Sequence, residues 1–91
     1  MKKFKYNNEG YGFIEVPKEI VDIITYVLGV DDDDVKIDTN FVNDLGCDSL
    51  DCVELIMEVE NEYGISITDD EAMKCHTVRD LIKLIYEINK R

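Results

Sequence analysis

The chain has 91 residues, 45% of them hydrophobic, and its 21 Asp and Glu against 10 Lys and Arg give a formal net charge of −11. That length predicts one small domain, and the apolar share excludes a disordered acidic tail. The negative surface disfavours nucleic acid and anionic membranes as partners and favours proteins that carry basic docking patches.

Residues 1–16 form a segment with a pattern of its own. Aromatic residues alternate there with polar residues or Gly around an Asn-Asn-Glu-Gly stretch, which is compatible with a short β-hairpin. An isolated hairpin is only marginally stable in water. We expect an N-terminal extension over 1–16, either a loose hairpin or disordered, ahead of a small folded domain over 17–91.

The first predicted element of that domain is a helix. Pro17 suits the first position of a helix, and Gly29 suits the position just after its end. Between them, apolar residues recur at helical spacing and define one buried face: Ile20, Ile23, Ile24, Val27 and Leu28. A long loop over 30–48 follows, and such loops in small domains are often functional. Its expected apolar anchors are Val35, Ile37, Phe41 and Leu45.

Three more helices complete the pattern. The second spans 49–63, and the third is short, over 69–74, with Thr68 or Asp69 as its cap. The fourth follows Thr77, and its inward-facing residues are Val78, Leu81, Ile82, Ile85 and Ile88. We therefore predict an all-α fold, a small four-helix bundle with a short third helix and a long loop between helices 1 and 2.

The second helix has two apolar faces. At about 100° per residue, its core face collects Cys52, Leu55, Ile56, Val59 and Tyr63. The opposite side carries an apolar strip, defined as Leu50, Val53 and Met57, among several carboxylates. Such a strip is typical of a docking surface. Packing of the long loop over part of the strip, with Leu50 covered, explains it equally well.

Cysteines and clustered acidic residues are candidate metal ligands. Cys47, Cys52 and Cys75 match no usual zinc spacing, and the Asp run at 31–34 lacks the Gly and Glu of a calcium-binding loop. We expect Cys52 and Cys75 to be small buried apolar residues.

The number of cysteines also bears on the compartment. Three cysteines make no disulfide framework, which favours a reducing compartment. With no apolar run of ~18 residues and no secretory signal, we expect a cytoplasmic protein without membrane insertion.

The segment D-L-G-C-D-S-L-D-C at 44–52 places Ser49 at the start of the second helix. As a hydrolase nucleophile this serine lacks the G-x-S-x-G context, and the only histidine, His76, has no evident carboxylate to orient it. As a helix cap, Asp48 or Ser49 suits the free N–H groups of the first turn. As an attachment point, the hydroxyl would place a phosphodiester at a helix N-terminus, which favours anions. Only the last interpretation also accounts for the apolar strip, as the surface that a partner enzyme grips.

These residues resemble a known family, the acyl carrier proteins of fatty acid and polyketide synthesis. D-L-G-C-D-S-L-D at 44–51 is similar to the family signature D-L-G-x-D-S-L-D, and the similarity continues through VELIMEVENEYGISITDDEA to TVRDLIKLI. It covers roughly residues 17–88. Cys47 and Cys52 depart from the usual Ala and Thr, and Asn61 stands where a further acid is common. The chain lacks the Gly-Gly that peptidyl carriers share before the serine, which favours an acyl over an aminoacyl cargo.

The resemblance implies a carrier, not an enzyme, with 4′-phosphopantetheine covalently attached to Ser49. It implies that Asp48 helps a phosphopantetheinyl transferase to recognise the serine and places the prosthetic phosphate. The partner-docking residues that it implies are Leu50, Asp51, Val53, Glu54, Met57 and Glu60. Enzymes of fatty acid or polyketide synthesis would hold these acids with basic patches.

We expect a monomeric acyl carrier protein of fatty acid biosynthesis. One alternative is a specialised carrier for polyketide or aminoacyl assembly. The other is an unmodified helical interaction module that uses the apolar strip alone.

Overall fold

The computed structural model describes residues 16–90, and these residues form four α-helices and one 3-10 turn, with no β-strand among them. The elements are α1 Lys18–Leu28, the 3-10 turn Asp32–Asp34, α2 Ser49–Tyr63, α3 Asp69–Met73 and α4 Val78–Asn89. The predicted all-α bundle with a short third helix and a long loop between helices 1 and 2 is confirmed. All but the last residue of the predicted extension over 1–16 lies outside the described residues, so its form and the domain boundary stay predictions.

Local signals set the ends of the helices. Gly29 and Gly64 have left-handed backbones with φ of 68° and 62°, and they end α1 and α2 as the sequence indicates. Pro17 is the N-cap of α1 and not its first helical residue, because its ψ of 144° is extended. Thr68, and not Asp69, caps α3 through its hydroxyl. The sequence therefore placed these boundaries to within one residue.

The core is one hydrophobic cluster to which α1, α2 and α4 all contribute. Its fully buried aliphatic side chains are Ile20, Ile24, Val59, Val78, Leu81, Ile82 and Ile85. Removing each such side chain from water stabilises the fold by about 1.5–3 kcal/mol. The apolar faces that helical spacing predicted thus meet one another. Among residues 16–90, no helix has the length and apolarity needed to cross a bilayer.

The long loop between α1 and α2 is tied to the first turn of α4. The Val78 N–H donates to the Thr39 carbonyl over 3.0 Å, and the Arg79 N–H donates to the Ile37 carbonyl over 2.8 Å. The loop therefore satisfies donors that a helix N-terminus leaves without a helical partner. Its predicted anchors are buried or half-buried in the core: Val35, Ile37, Phe41 and Leu45.

The burial of the cysteines differs from the prediction. Cys52 and Cys75 were expected inside, but both are only half-buried. Cys47 is the thiol that the core encloses, with 5% of its surface exposed. Because Cys47 precedes α2, the helical spacing that ranks positions within that helix says nothing about it.

Candidate functional site

A hydrogen-bonded turn over 40–46 delivers the chain to the start of α2. The Asn40 side-chain oxygen accepts from the Val42 N–H over 3.0 Å, and Asp44 Oδ2 accepts from the Asn40 N–H over 2.7 Å. Gly46 then reverses the chain with a φ of 69°, a conformation that residues with a Cβ rarely adopt. Asn40 was not among the predicted site residues, although an Asn whose side chain binds the backbone two residues later is a known turn signal.

Asp48 and Asp51 cap α2 reciprocally. The Asp51 N–H donates to Asp48 Oδ1 over 2.8 Å, and the Asp48 N–H donates to Asp51 Oδ2 over 3.3 Å. This arrangement is a capping box with aspartate at both positions. Both carboxylates also lie where the helix dipole favours negative charge. Of the two residues considered as the cap, Asp48 takes that role.

Ser49 is the first helical residue of α2, and its side chain is exposed. Because Asp48 supplies the cap, the Ser49 hydroxyl makes no hydrogen bond within residues 16–90. The N–H groups of Ser49 and Leu50 also make none within this range. A phosphodiester on the hydroxyl would thus lie beside free backbone donors at a positive helix end, which is a favourable place for an anion. The residues present fit such a group.

The apolar strip is open to solvent along α2. Leu50, Val53 and Met57 are 68%, 54% and 60% exposed. The long loop does not cover them, so the alternative in which it shields Leu50 is wrong. At 1.5 Å per residue the strip extends about 10 Å from a position next to Ser49. A partner that contacts the strip therefore lies close to the serine.

The acidic residues beside the strip have different surroundings. Glu54 is exposed and makes no hydrogen bond or ion pair within the described residues. Asp51 belongs to the capping box. Glu60 is half-buried, and its Oε2 accepts from the Ile67 N–H over 2.7 Å, which ties α2 to the segment before α3. Of these three acids Glu54 therefore has the fewest competing contacts, and Glu60 has a structural role that the sequence did not indicate.

Two thiols lie on either side of Ser49 in the sequence and touch each other. Cys47 Sγ and Cys52 Sγ are 3.2 Å apart. Burial raises the pKa of the Cys47 thiol to about 12, and the contact with Cys52 and the nearby carboxylates of Asp51 and Asp48 act in the same direction. Cys47 therefore keeps its proton at neutral pH.

Ser49 presents an exposed side chain at the start of α2. Two surface grooves, one between α3 and α4 and one between α1 and α2, are lined by other residues. His76 is exposed, and its backbone N–H donates to Asp80 Oδ2 over 3.0 Å. In the part of the chain that the structure describes, no three His, Cys, Asp or Glu residues are grouped to hold a metal ion.

Comparison with known proteins agrees with this geometry. Residues 18–85 match the family model described as a phosphopantetheine attachment site. The chain is also similar to a protein of Chloroherpeton thalassium (strain ATCC 35110 / GB-78) that is named acyl carrier protein. The two are 49% identical over 76 residues, which span 84% of this chain and 95% of the relative.

Proposed function

This chain belongs to the acyl carrier protein family, whose covalent cofactor is 4′-phosphopantetheine, and we propose that Ser49 is the attachment residue and fatty acid biosynthesis the pathway. When attached, the arm supplies a terminal thiol that holds acyl groups as thioesters. The observation that carries the proposal is the exposed Ser49 hydroxyl, free of hydrogen bonds in the described residues, at the first position of α2.

The second serine of the chain lacks these surroundings. Ser66 is exposed but lies in the connection between α2 and α3, away from the first turn of any helix. No capping box precedes it, and no apolar strip follows it on a helix face. Ser49 therefore combines accessibility with backbone donors for a phosphate, and Ser66 offers accessibility alone.

The protein's own residues orient the arm and mark its position for partners. The Asp48–Asp51 box holds the backbone of the first turn of α2, so that the Cα–Cβ bond of Ser49 keeps a fixed direction. The apolar strip gives partner enzymes a contact next to the serine, and Glu54 gives their basic side chains an unengaged carboxylate. In this proposal a phosphopantetheinyl transferase and the synthesis enzymes bind the same face of α2. The protein is a cytoplasmic monomer that contributes no catalytic group.

Intact-mass spectrometry tests the attachment residue. The full chain is incubated with a phosphopantetheinyl transferase and coenzyme A, alongside the Ser49→Ala and Ser66→Ala variants. We expect one phosphopantetheine adduct on the parent and on Ser66→Ala, and none on Ser49→Ala. An adduct that persists in Ser49→Ala would overturn the assignment. A complete absence of adducts, with all three chains folded, would favour the unmodified interaction module.

A loading assay tests the pathway. The modified protein is supplied with malonyl-coenzyme A, a malonyl transferase and a condensing enzyme of fatty acid synthesis. We expect chain elongation on the carrier. If an aminoacyl-adenylating enzyme loads the carrier and the fatty acid enzymes do not, the specialised-carrier alternative replaces the proposal.

A further inference from the structure

Cys47 and Cys52 occupy two related positions around the start of α2. With Asp48 as the N-cap, Cys47 is the residue just before the cap, and Cys52 is the fourth residue of the helix. Side chains at these two positions often pack together as a hydrophobic staple, which fixes the angle at which the chain enters a helix. Here both positions carry thiols, and the two sulfurs lie 3.2 Å apart. The two residues at the staple positions of α2 can therefore be oxidised, because both are cysteines.

The two thiols differ in access. Cys47 is 5% exposed, whereas Cys52 is half-buried and so reachable by a small molecule. Both are free thiols in the structure. Cys75 has other surroundings: its Sγ donates to the Glu71 carbonyl over 3.6 Å. The pair thus has one half-buried thiol and one that the core encloses.

The geometry allows a bond between the two sulfurs with a small adjustment. A disulfide has an S–S distance of about 2.05 Å, so the sulfurs must approach by about 1.2 Å. A Cβ added to Gly46, next to Cys47, would meet nothing within 4 Å, so no side chain packs against the backbone on that side. We propose that Cys47 and Cys52 are a redox modification site, converted by a low-molecular-weight disulfide into an intrachain disulfide that closes a loop around Ser49.

The exchange proceeds in two balanced steps. The Cys52 thiolate attacks one sulfur of a disulfide such as oxidised glutathione, which forms a mixed disulfide and releases one glutathione thiolate. The Cys47 sulfur then attacks Cys52 Sγ and expels the second glutathione. The two protons lost by the cysteines end on the two released thiols. Two cysteine thiols are oxidised, and one glutathione disulfide is reduced to two molecules of glutathione.

The burial of Cys47 sets the order of these steps. Cys47 is protonated at neutral pH because it is buried, so it is a poor first nucleophile. Its role is to resolve the mixed disulfide, for which its contact with Cys52 positions it. Cys52 is therefore the entry thiol.

One consequence rests on the proposed function. Ser49 lies inside the loop that the disulfide closes, so oxidation constrains the segment that a phosphopantetheinyl transferase must accommodate. We expect oxidised protein to be modified more slowly than reduced protein, with the original rate restored by dithiothreitol. The disulfide itself is tested without the transferase, so failure of either proposal leaves the other intact.

Peptide mapping of the unmodified full chain tests the disulfide. The reduced protein is equilibrated with oxidised glutathione, blocked with a maleimide and digested with trypsin. Since no Lys or Arg lies between Lys36 and Lys74, one peptide, 37–74, contains Cys47 and Cys52, and Cys75 falls in the next peptide. We expect peptide 37–74 to lose two hydrogens and take up no maleimide. Cleavage before Asp51 should then leave two fragments joined until reduction.

Two variants complete the test. Cys75→Ser should keep the cross-link, and Cys52→Ser should abolish it while helical content, followed by circular dichroism, stays unchanged. Glutathione mixed disulfides on both cysteines without loss of two hydrogens would overturn the proposal. Disulfide-linked dimers through Cys52 would overturn it as well.

Discussion

The carboxylate of Asp48 and the backbone N–H of Asp51 form a 2.8 Å hydrogen bond that decides which residue at the start of α2 stays free. Asp48 serves as the cap, so Ser49 is not needed for this purpose and its hydroxyl remains exposed. A serine at the N-cap would be bound to the helix backbone instead. The acid before the serine thus has a structural role that is separable from any contact with a modifying enzyme.

Substitutions at Asp48 separate these two roles. Asp48→Ala removes the cap and should lower stability by about 1 kcal/mol, which for a domain of this size lowers Tm by about 4–8 °C. Asp48→Asn keeps an acceptor oxygen and should cost only a few tenths of a kcal/mol. Thermal denaturation measures both changes, and the rate of phosphopantetheine transfer is measured in parallel.

Thr77→Ala is the matched control for Asp48, because Thr77 caps α4 in the same way. It should lower stability by about 1 kcal/mol and leave the transfer rate unchanged. If Asp48→Asn is stable but slow, its charge acts in recognition. Equal transfer rates for Asp48→Asn and the parent would limit Asp48 to capping.

Met57 and Leu55 lie two residues apart on α2, one 60% exposed and the other 3% exposed. Met57→Ala should change stability by at most about 0.5 kcal/mol. It should raise the KM of a partner enzyme about fivefold, which corresponds to about 1 kcal/mol of lost contact. Leu55→Ala should cost about 2–5 kcal/mol because it leaves a cavity. Urea denaturation and transferase kinetics measure these effects. If Met57→Ala lost as much stability as Leu55→Ala, Met57 would belong to the core and the strip would not be exposed.

The sequence predicted the parts of this molecule that depend on neighbouring residues. The bounds of α2 agreed because Asp48 and Gly64 act within one helical turn, and helical periodicity placed Leu50, Val53 and Met57 on the side opposite the core face. Whether the long loop covers that side did not follow from the sequence. The burial of Cys47 did not follow, because it depends on how the turn before α2 meets the core.

Contacts between distant segments of the chain could not be predicted from the sequence either. The hydrogen bonds from the first turn of α4 to the long loop require the tertiary arrangement of both. The bond between Glu60 and Ile67 depends on the path of the chain after Gly64, and no local pattern specifies it. For this reason Glu60 was assigned to docking alone.

Glu60 should contribute to stability through Ile67. Glu60→Ala leaves the partly buried Ile67 N–H without its acceptor and should cost about 1–3 kcal/mol. Glu60→Gln retains an acceptor oxygen and should cost less. Glu54→Ala is the control, because Glu54 is an exposed acid on the same helix, and it should change stability by at most about 0.5 kcal/mol. Urea denaturation measures all three, and similar values for Glu60→Ala and Glu54→Ala would contradict the role of this bond.

The thiols of Cys47 and Cys75 should make the reduced protein less stable in alkali. Burial raises their pKa from the ordinary value of 9.0 to about 12 and about 11. Above pH 9 the unfolded chain therefore loses these protons before the folded chain does, so the free energy of unfolding falls as pH rises. The stabilising effect is complete below pH 9 and is lost as pH approaches the folded pKa values. Each thiol contributes at most about 1.4 kcal/mol per pH unit.

Urea denaturation in a reducing buffer, from about pH 8 to about pH 11, measures this dependence. The double variant Cys47→Ala, Cys75→Ala should show a shallower decline than the parent, because its unfolded state has fewer thiols to ionise. Val59→Ala is the control, since it truncates a buried residue that does not titrate, and its curve should lie below that of the parent with the same slope. A double variant that declines as steeply as the parent would show that other groups, and not these two thiols, govern alkaline stability.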